Sequence, residues 1–273
     1  MTRRSTRQGL INAPYMLWAC IFIIVPLFIV MYYAFTDSNG AFSFANILAL
    51  ADYADVFKVS IIFSVIATII TLLVGYPFAY CLTKLKASAQ RMQMMLVMLP
   101  MWMNLLIRTY SWMNILEKNG LINTILSTVG LPTLNMIGTP AAVILGMVYN
   151  YLPYMILPIY TTMAKIDNSL YEASEDLGCN PWQKMRRLII PMSIPGVISG
   201  ITMVFVPSIS TFYISQKLGG GKILLIGDII ERQIQMSYNY NLGAALSFVL
   251  MVMILISMAI MNRFSNGEGE MVV

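Results

Sequence analysis

Few residues in this chain are of a type that does chemistry, and they are unevenly placed. Histidine is absent, and the three cysteines, Cys20, Cys81 and Cys179, form no C-x-x-C pair. The commonest metal ligand and the commonest general base near neutral pH are therefore missing. No metal site and no catalytic nucleophile–base pair is expected. Gly221-Lys222 is followed by Ile223, and Gln216 stands where a G-x-x-x-x-G-K-[ST] phosphate loop needs its first glycine. No nucleotide site is expected either. What remains is a polar, acidic segment, Glu172-Ala173-Ser174-Glu175-Asp176-Leu177-Gly178, one arginine within an apolar stretch, Arg108, and many aromatic faces. Ion pairing, docking and cation–π contact are the chemistry open to such groups.

The elements that must position them are apolar. Hydrophobic residues make up 58% of the chain and charged residues 11%, with mean hydropathy +0.73, where a soluble domain carries about 25% charged residues. Six stretches have the length of a bilayer crossing: Pro14–Phe35, Val59–Thr83, Met92–Leu116, Thr139–Ala164, Ser193–Ser215 and Leu242–Met261. Only the third holds a charge, Arg108. Helix is the form such stretches take, because lipid cannot satisfy free backbone groups. The fold class expected is an all-α integral membrane protein with six transmembrane helices. The first stretch exceeds the apolar core of a signal peptide and lacks a small-residue cleavage site after it, so it reads as a retained helix.

The net charge of +5 is better explained by membrane orientation than by nucleic acid, for which no role is expected. Arg3, Arg4, Arg7, Lys84, Lys86, Arg91, Lys165, Lys184, Arg186, Arg187 and Arg263 fall on one side, and Lys58, Lys118, Lys217, Lys222 and Arg232 on the other. The richer side is cytoplasmic, which puts both termini and the Glu172 segment inside the cell. Within that segment Ser169 and Glu172 have capping-box spacing, with Ser169 as N-cap and Glu172 at the third position. The helix is expected to run to Leu177 and stop at Gly178. Leu170, Ala173 and Leu177 then share one face. Asn180 and Pro181 read as N-cap and first residue of a second helix. On these residues alone, Glu172 is as readily a cap as a docking group.

The segment resembles the "EAA" loop of binding-protein-dependent ABC-importer permeases. Glu172-Ala173 is followed at unchanged spacing by Gly178 and by Leu188-Ile189-Ile190-Pro191, with Ser174 in place of the second alanine. The resemblance implies a type I permease architecture. It divides the chain into an N-terminal tail, first helix and outer loop over 1–57, a transmembrane core over 58–263 with a coupling loop at 165–191, and a tail over 264–273. It also implies that Glu172, Ala173, Ser174, Leu177 and Gly178 form a coupling helix that seats in a separate ATPase. No cofactor is expected in this chain; ATP and magnesium belong to the ATPase. The partners implied are a second, homologous permease, two ATPase subunits, an extracytoplasmic substrate-binding protein and the lipid bilayer.

Further segments resemble the B-type permeases of spermidine/putrescine importers. They are Met101–Tyr110, reading W-x-N-x-L-I-R-x-Y from Trp102, then Gly146–Tyr154, and Phe212–Ile229. The implied function is ATP-driven polyamine import. Trp102, Asn104, Arg108, Tyr110, Tyr149, Asn150, Tyr154 and Tyr213 are the pathway candidates. All twelve acidic residues lie outside the six stretches, so aromatic faces stand in for carboxylates towards a cation, each worth about 0.5–2 kcal/mol. For any single one of these aromatic residues, packing and an interfacial aromatic belt are the weightier account. Arg108 is costly in lipid; it is expected to snorkel, to pair with an outer carboxylate, or to serve as a gate or a contact to the second permease. Pro153, Pro158, Pro195 and Pro207 invite kinks. In the outer segment 217–241, the run Ile223–Ile226 is too short to span and has a re-entrant or interfacial reading. The alternatives are a permease for another small solute and an ion-coupled secondary transporter, although the latter normally carries Asp, Glu or His within the membrane.

Overall fold

The structure, a computed structural model, describes residues 14–37 and 39–269, the side chains of 264–269 excepted. Arg3, Arg4 and Arg7 of the orientation argument lie outside the described residues. The chain is helical: α1 Pro14–Ala34, α2 Ala54–Thr83, α3 Ala87–Trp102, α4 Leu105–Leu116, α5 Leu121–Thr128, α6 Pro140–Met163, α7 Asn168–Asp176, α8 Pro181–Ile209, α9 Tyr213–Leu218, α10 Ile226–Gln235 and α11 Tyr240–Gly269. Five helical stretches among the described residues are long and apolar enough to cross a membrane: α1, Ala45–Thr83, α6, α8 and the Tyr240–Arg263 part of α11.

The third apolar stretch departs from expectation. It is not one helix but two, α3 and α4, broken at Met103-Asn104. Both residues are extended, and the Asn104 side chain accepts from the Leu106 amide at 2.7 Å, restarting the helix as its N-cap. The fifth stretch is also shifted. Its helix begins at Pro181, stops at Ile209, and resumes only at Tyr213 as α9.

Two π-helical turns have one cause. Cys20–Ile24 precedes Pro26 in α1, and Met185–Ile189 precedes Pro191 in α8. Proline lacks the amide and crowds the carbonyl four residues back, and a widened turn relieves both.

Two compact units are present. One joins the chain up to Asp55 with Ile229–Met253. There Ala34 packs with Ala244 and Ala245, Phe35 meets Phe248 at 5.5 Å, and Asn241 Nδ2 donates to Thr36 O at 2.7 Å. The other unit contains Val56–Asp228 and the chain from Ile254. Its core centres on α6, with Val143, Met147, Met155, Ile156, Ile159 and Met163 buried. α2 turns a face of small residues inward, Ser60, Ser64, Ala67, Thr68, Thr71, Gly75 and Ala79. The hydroxyls of Ser60, Ser64, Thr68 and Thr71 bond the carbonyls four residues back, so each is satisfied within the helix. α8 lies against α6 so closely that a Cβ on Gly196 would stand 2.7 Å from Pro158 O.

Candidate functional site

α7 is built by its ends. Asp167, not Ser169, is the N-cap: its carboxylate accepts from the Ser169 amide at 3.0 Å. That bond and a second to the Ser169 hydroxyl hold its carboxyl below the ordinary aspartate range. Ser169 and Glu172 form no capping box; they are the second and fifth residues of the helix. At the other end Gly178 has φ +73°. The Cys179 amide donates to Ser174 O at 3.0 Å and the Gly178 amide to Glu175 O at 2.8 Å, the paired bonds of a left-handed helix stop. Asn180 then opens α8 with a reciprocal capping box to Gln183 and Pro181 in first position.

The faces of α7 differ. Tyr171 and Ser174 are half-buried, and Tyr171 packs against the core. Burial pushes the Tyr171 phenol upward. Glu172, Ala173, Leu170 and Leu177 are exposed, Leu177 by 83%. The Glu172 side chain makes no hydrogen bond or ion pair with any described residue. Glu175 instead pairs with Lys184, which holds its carboxyl below the ordinary glutamate range, with a smaller contribution from Lys84. Of the coupling candidates, Ser174 therefore sits on the inner side of α7, its Oγ donating to Tyr171 O at 2.7 Å, while the other four face outward.

The pathway candidates fall on α4, α6, α9 and the helix break. Tyr110 and Tyr213 meet edge to face at 6.2 Å, with Lys217 Nζ 5.0 Å from the Tyr110 centroid and 5.7 Å from that of Tyr213. Trp112 meets Tyr149 at 5.2 Å, and Tyr151 meets Tyr154 at 6.4 Å. Trp102 ends α3 and is 78% exposed. Arg108 is largely buried. It is 8% exposed, and its Nε and Nη1 have no hydrogen-bond partner among the described residues. Asn150, 2% exposed, donates to Gly146 O at 2.8 Å, and its buried Oδ1 has no partner among the described residues.

Residues 83–267 match the family described as "Binding-protein-dependent transport system inner membrane component". The chain belongs to that family. It is 36% identical over 267 residues to the spermidine/putrescine transport system permease protein PotB of Haemophilus influenzae, covering 93% of each chain. To PotB of Escherichia coli it is 34% identical over 259 residues, covering 91% of this chain and 94% of the relative. Among solved structures, a bacterial ABC transporter involved in import of the acidic polysaccharide alginate matches with TM-score 0.76 at 18% identity, covering 96% of each chain. The MetNI methionine ABC transporter matches with TM-score 0.60 at 17% identity, over 79% of this chain and 95% of the other. The permease is thus a multi-pass protein of a prokaryotic plasma membrane with the type I ABC-importer fold.

Three features of the permease escaped sequence reasoning. Lys217 sits over two of the candidate aromatics, Tyr110 and Tyr213, and only its spacing of four residues from Tyr213 on α9 hinted at it. Asp228 is fully buried; its Oδ2 accepts from the Leu225 amide at 2.7 Å at the start of α10. In the run Ile223–Ile226, read as re-entrant or interfacial, Leu225 and Ile226 are fully buried and the Ile226 amide donates to Ser60 Oγ at 2.8 Å, a contact the sequence did not reveal.

Proposed function

We propose that this permease forms the translocation pathway of an ATP-driven, binding-protein-dependent importer of polyamines, spermidine or putrescine. Two PotB relatives above 30% identity, covered nearly end to end, support the substrate class. α7 is the coupling helix. ATP and magnesium are held by two copies of a separate ATPase, and a second permease completes the pathway. An extracytoplasmic binding protein delivers the substrate. As the ATPase closes, α7 follows it and the cavity turns from inward-facing to outward-facing.

One observation carries the coupling role. Glu172 and the apolar side chains of Leu170 and Leu177 are exposed on one short helix whose own ends are already capped. A carboxylate beside exposed apolar groups suits a cleft that offers a cation and an apolar floor. For the pathway, the break at Met103-Asn104 lies mid-way along an apolar stretch. Non-helical backbone at membrane depth is tolerated where it lines a cavity or is buried in protein, and discontinuous helices mark transporter binding sites. The neighbouring Tyr110 and Tyr213 faces already receive the Lys217 ammonium, a group of the chemistry a polyamine would present.

The test is uptake of labelled spermidine by polyamine-import-deficient cells carrying the whole complex, beside a Glu172→Arg variant with assembly checked separately. Uptake that depends on this subunit and collapses in the variant is the expected result. A correctly assembled complex that takes up neither spermidine nor putrescine sinks the substrate assignment. Undiminished uptake by Glu172→Arg sinks the coupling role of that residue.

A further inference from the structure

α7 is joined to α6 and α8 by short stretches of chain, but to α2 only through space. Among the described residues no hydrogen bond links α7 to α2. A cation does: Lys84, one residue beyond α2, holds its ammonium 4.3 Å from the Tyr171 ring centroid in α7 and 5.3 Å from that of Tyr80 in the last turn of α2. Both distances lie within the reach of a cation–π contact. A polar cavity of about 350 Å³ lies beside the bracket, lined by Thr83, Lys84, Gln90, Asn168 and Tyr171 among others. Close packing therefore does not seal α7 against the end of α2 on that side, and the ammonium spans the gap. On the far end of α7, the Glu175–Lys184 pair fastens it to the first turn of α8.

We infer that Lys84, held between Tyr80 and Tyr171, is a positioning residue that passes movement of α7 to the cytoplasmic end of α2. The inference rests on α7 being the coupling helix. An ammonium between two ring faces suits the task, because the attraction is not tied to one hydrogen-bond direction and survives sliding of either ring. The Glu175–Lys184 pair makes the matching link to α8, so a push on α7 reaches two spans that the chain does not connect directly to each other.

The test uses the assembled complex in lipid nanodiscs, with hydrogen exchange followed at residues 79–86 and 168–177, with and without a non-hydrolysable ATP analogue. In the wild type both segments are expected to respond to nucleotide. Lys84→Met keeps the apolar stem and removes the charge. Its response at 168–177 should persist, while that at 79–86 shrinks about two- to fivefold for each ring face that no longer holds the cation. Lys84→Arg should restore it, and spermidine taken up per ATP hydrolysed should fall and recover in step. Equal responses of both segments in Lys84→Met overturn the inference. So does a wild type in which 168–177 responds and 79–86 does not, or loss of both responses in Lys84→Met and Lys84→Arg alike, which marks a structural prop. A wild type that responds to nucleotide without importing spermidine refutes the substrate assignment and leaves the bracket standing.

Discussion

Gly178 offers a prediction whose magnitude follows from two observations. Its φ of +73° lies in the left-handed region, and a Cβ placed there meets nothing within 4 Å. A substitution there is therefore penalised by backbone conformation alone and not by a clash. For alanine that strain is about 1–2 kcal/mol. Loss of glycine's freedom in the unfolded chain offsets about 0.4–1 kcal/mol of it. The net cost is roughly 1 kcal/mol, about fivefold in the opening equilibrium of this helix end. Asparagine tolerates the left-handed region and should cost less; valine, branched at Cβ, should cost more. The readout is exchange of the Cys179 and Gly178 amides, which close the helix on Ser174 O and Glu175 O. Exchange should rise in the order Gly, Asn, Ala, Val. ATP-driven uptake should fall in the same order if the exit angle of α7 matters to coupling. Alanine indistinguishable from glycine, or asparagine worse than alanine, would refute the reasoning.

Asp167 makes the start of α7 sensitive to acid. Its carboxyl is held low in the fold, so its stabilisation is present above its unfolded pKa and is lost as pH falls through the folded value. Protection of the Ser169 amide, taken against its intrinsic exchange rate at each pH, should fall at acid pH, and Asp167→Asn should keep the cap while removing that dependence; Glu175 titrates at the other end, so the Ser169 amide is the amide to follow. Gly196→Ala should lower the thermal stability of the solubilised permease by about 1–3 kcal/mol, because the carbonyl 2.7 Å from the added carbon belongs to the α6 backbone and cannot rotate away; wild-type melting would contradict that packing. Arg108→Met should leave the melting temperature unchanged or raised, since it removes two buried donors that have no partner among the described residues, each such group costing about 1–3 kcal/mol. A marked fall would mean that the guanidinium is paired within the fold after all.

How far the sequence could be read depended on how local each cause was. Gly178 and Asn180-Pro181 act through neighbours within four residues, and both were legible as helix stop and helix start. Ser169 was mistaken for the cap that Asp167 supplies, because two oxygen-bearing candidates two residues apart have the same local credentials. The neighbouring backbone chooses between them. The break at Met103-Asn104 was hidden by an unbroken apolar run; only Asn104, polar and a good cap, marked it. Asp228 and Arg108 show the opposite limit. A carboxylate in a polar connecting segment reads as solvated, yet the return of Leu225–Asp228 to Ser60, 166 residues away along the chain from Ile226, buries it. Arg108 lies near the start of a broken helix and not along an unbroken one, and its burial to 8% exposure depends on neighbours distant in the sequence.

The division of labour within α7 bears on what its exposed residues are for. Folding this segment requires a cap, a stop and an anchor, and the chain provides each separately: Asp167 at the start, Gly178 at the end, and Tyr171 against the core. Glu175 adds the tie to Lys184. The side chains of Glu172, Ala173 and Leu177 take part in none of these, although the Leu177 amide donates to Ala173 O at 3.1 Å. Leu177 sits in the helix stop, a position many residues fill, and leaves its side chain 83% in water; Trp182 in the next turn is 71% exposed. Exposing a leucine rather than burying it forgoes about 1.5–3 kcal/mol, and a polar residue at that position would avoid the loss. A short helix that is secured without its outward apolar side chains, and that presents them beside an uncommitted carboxylate, has the form that the proposed coupling role requires.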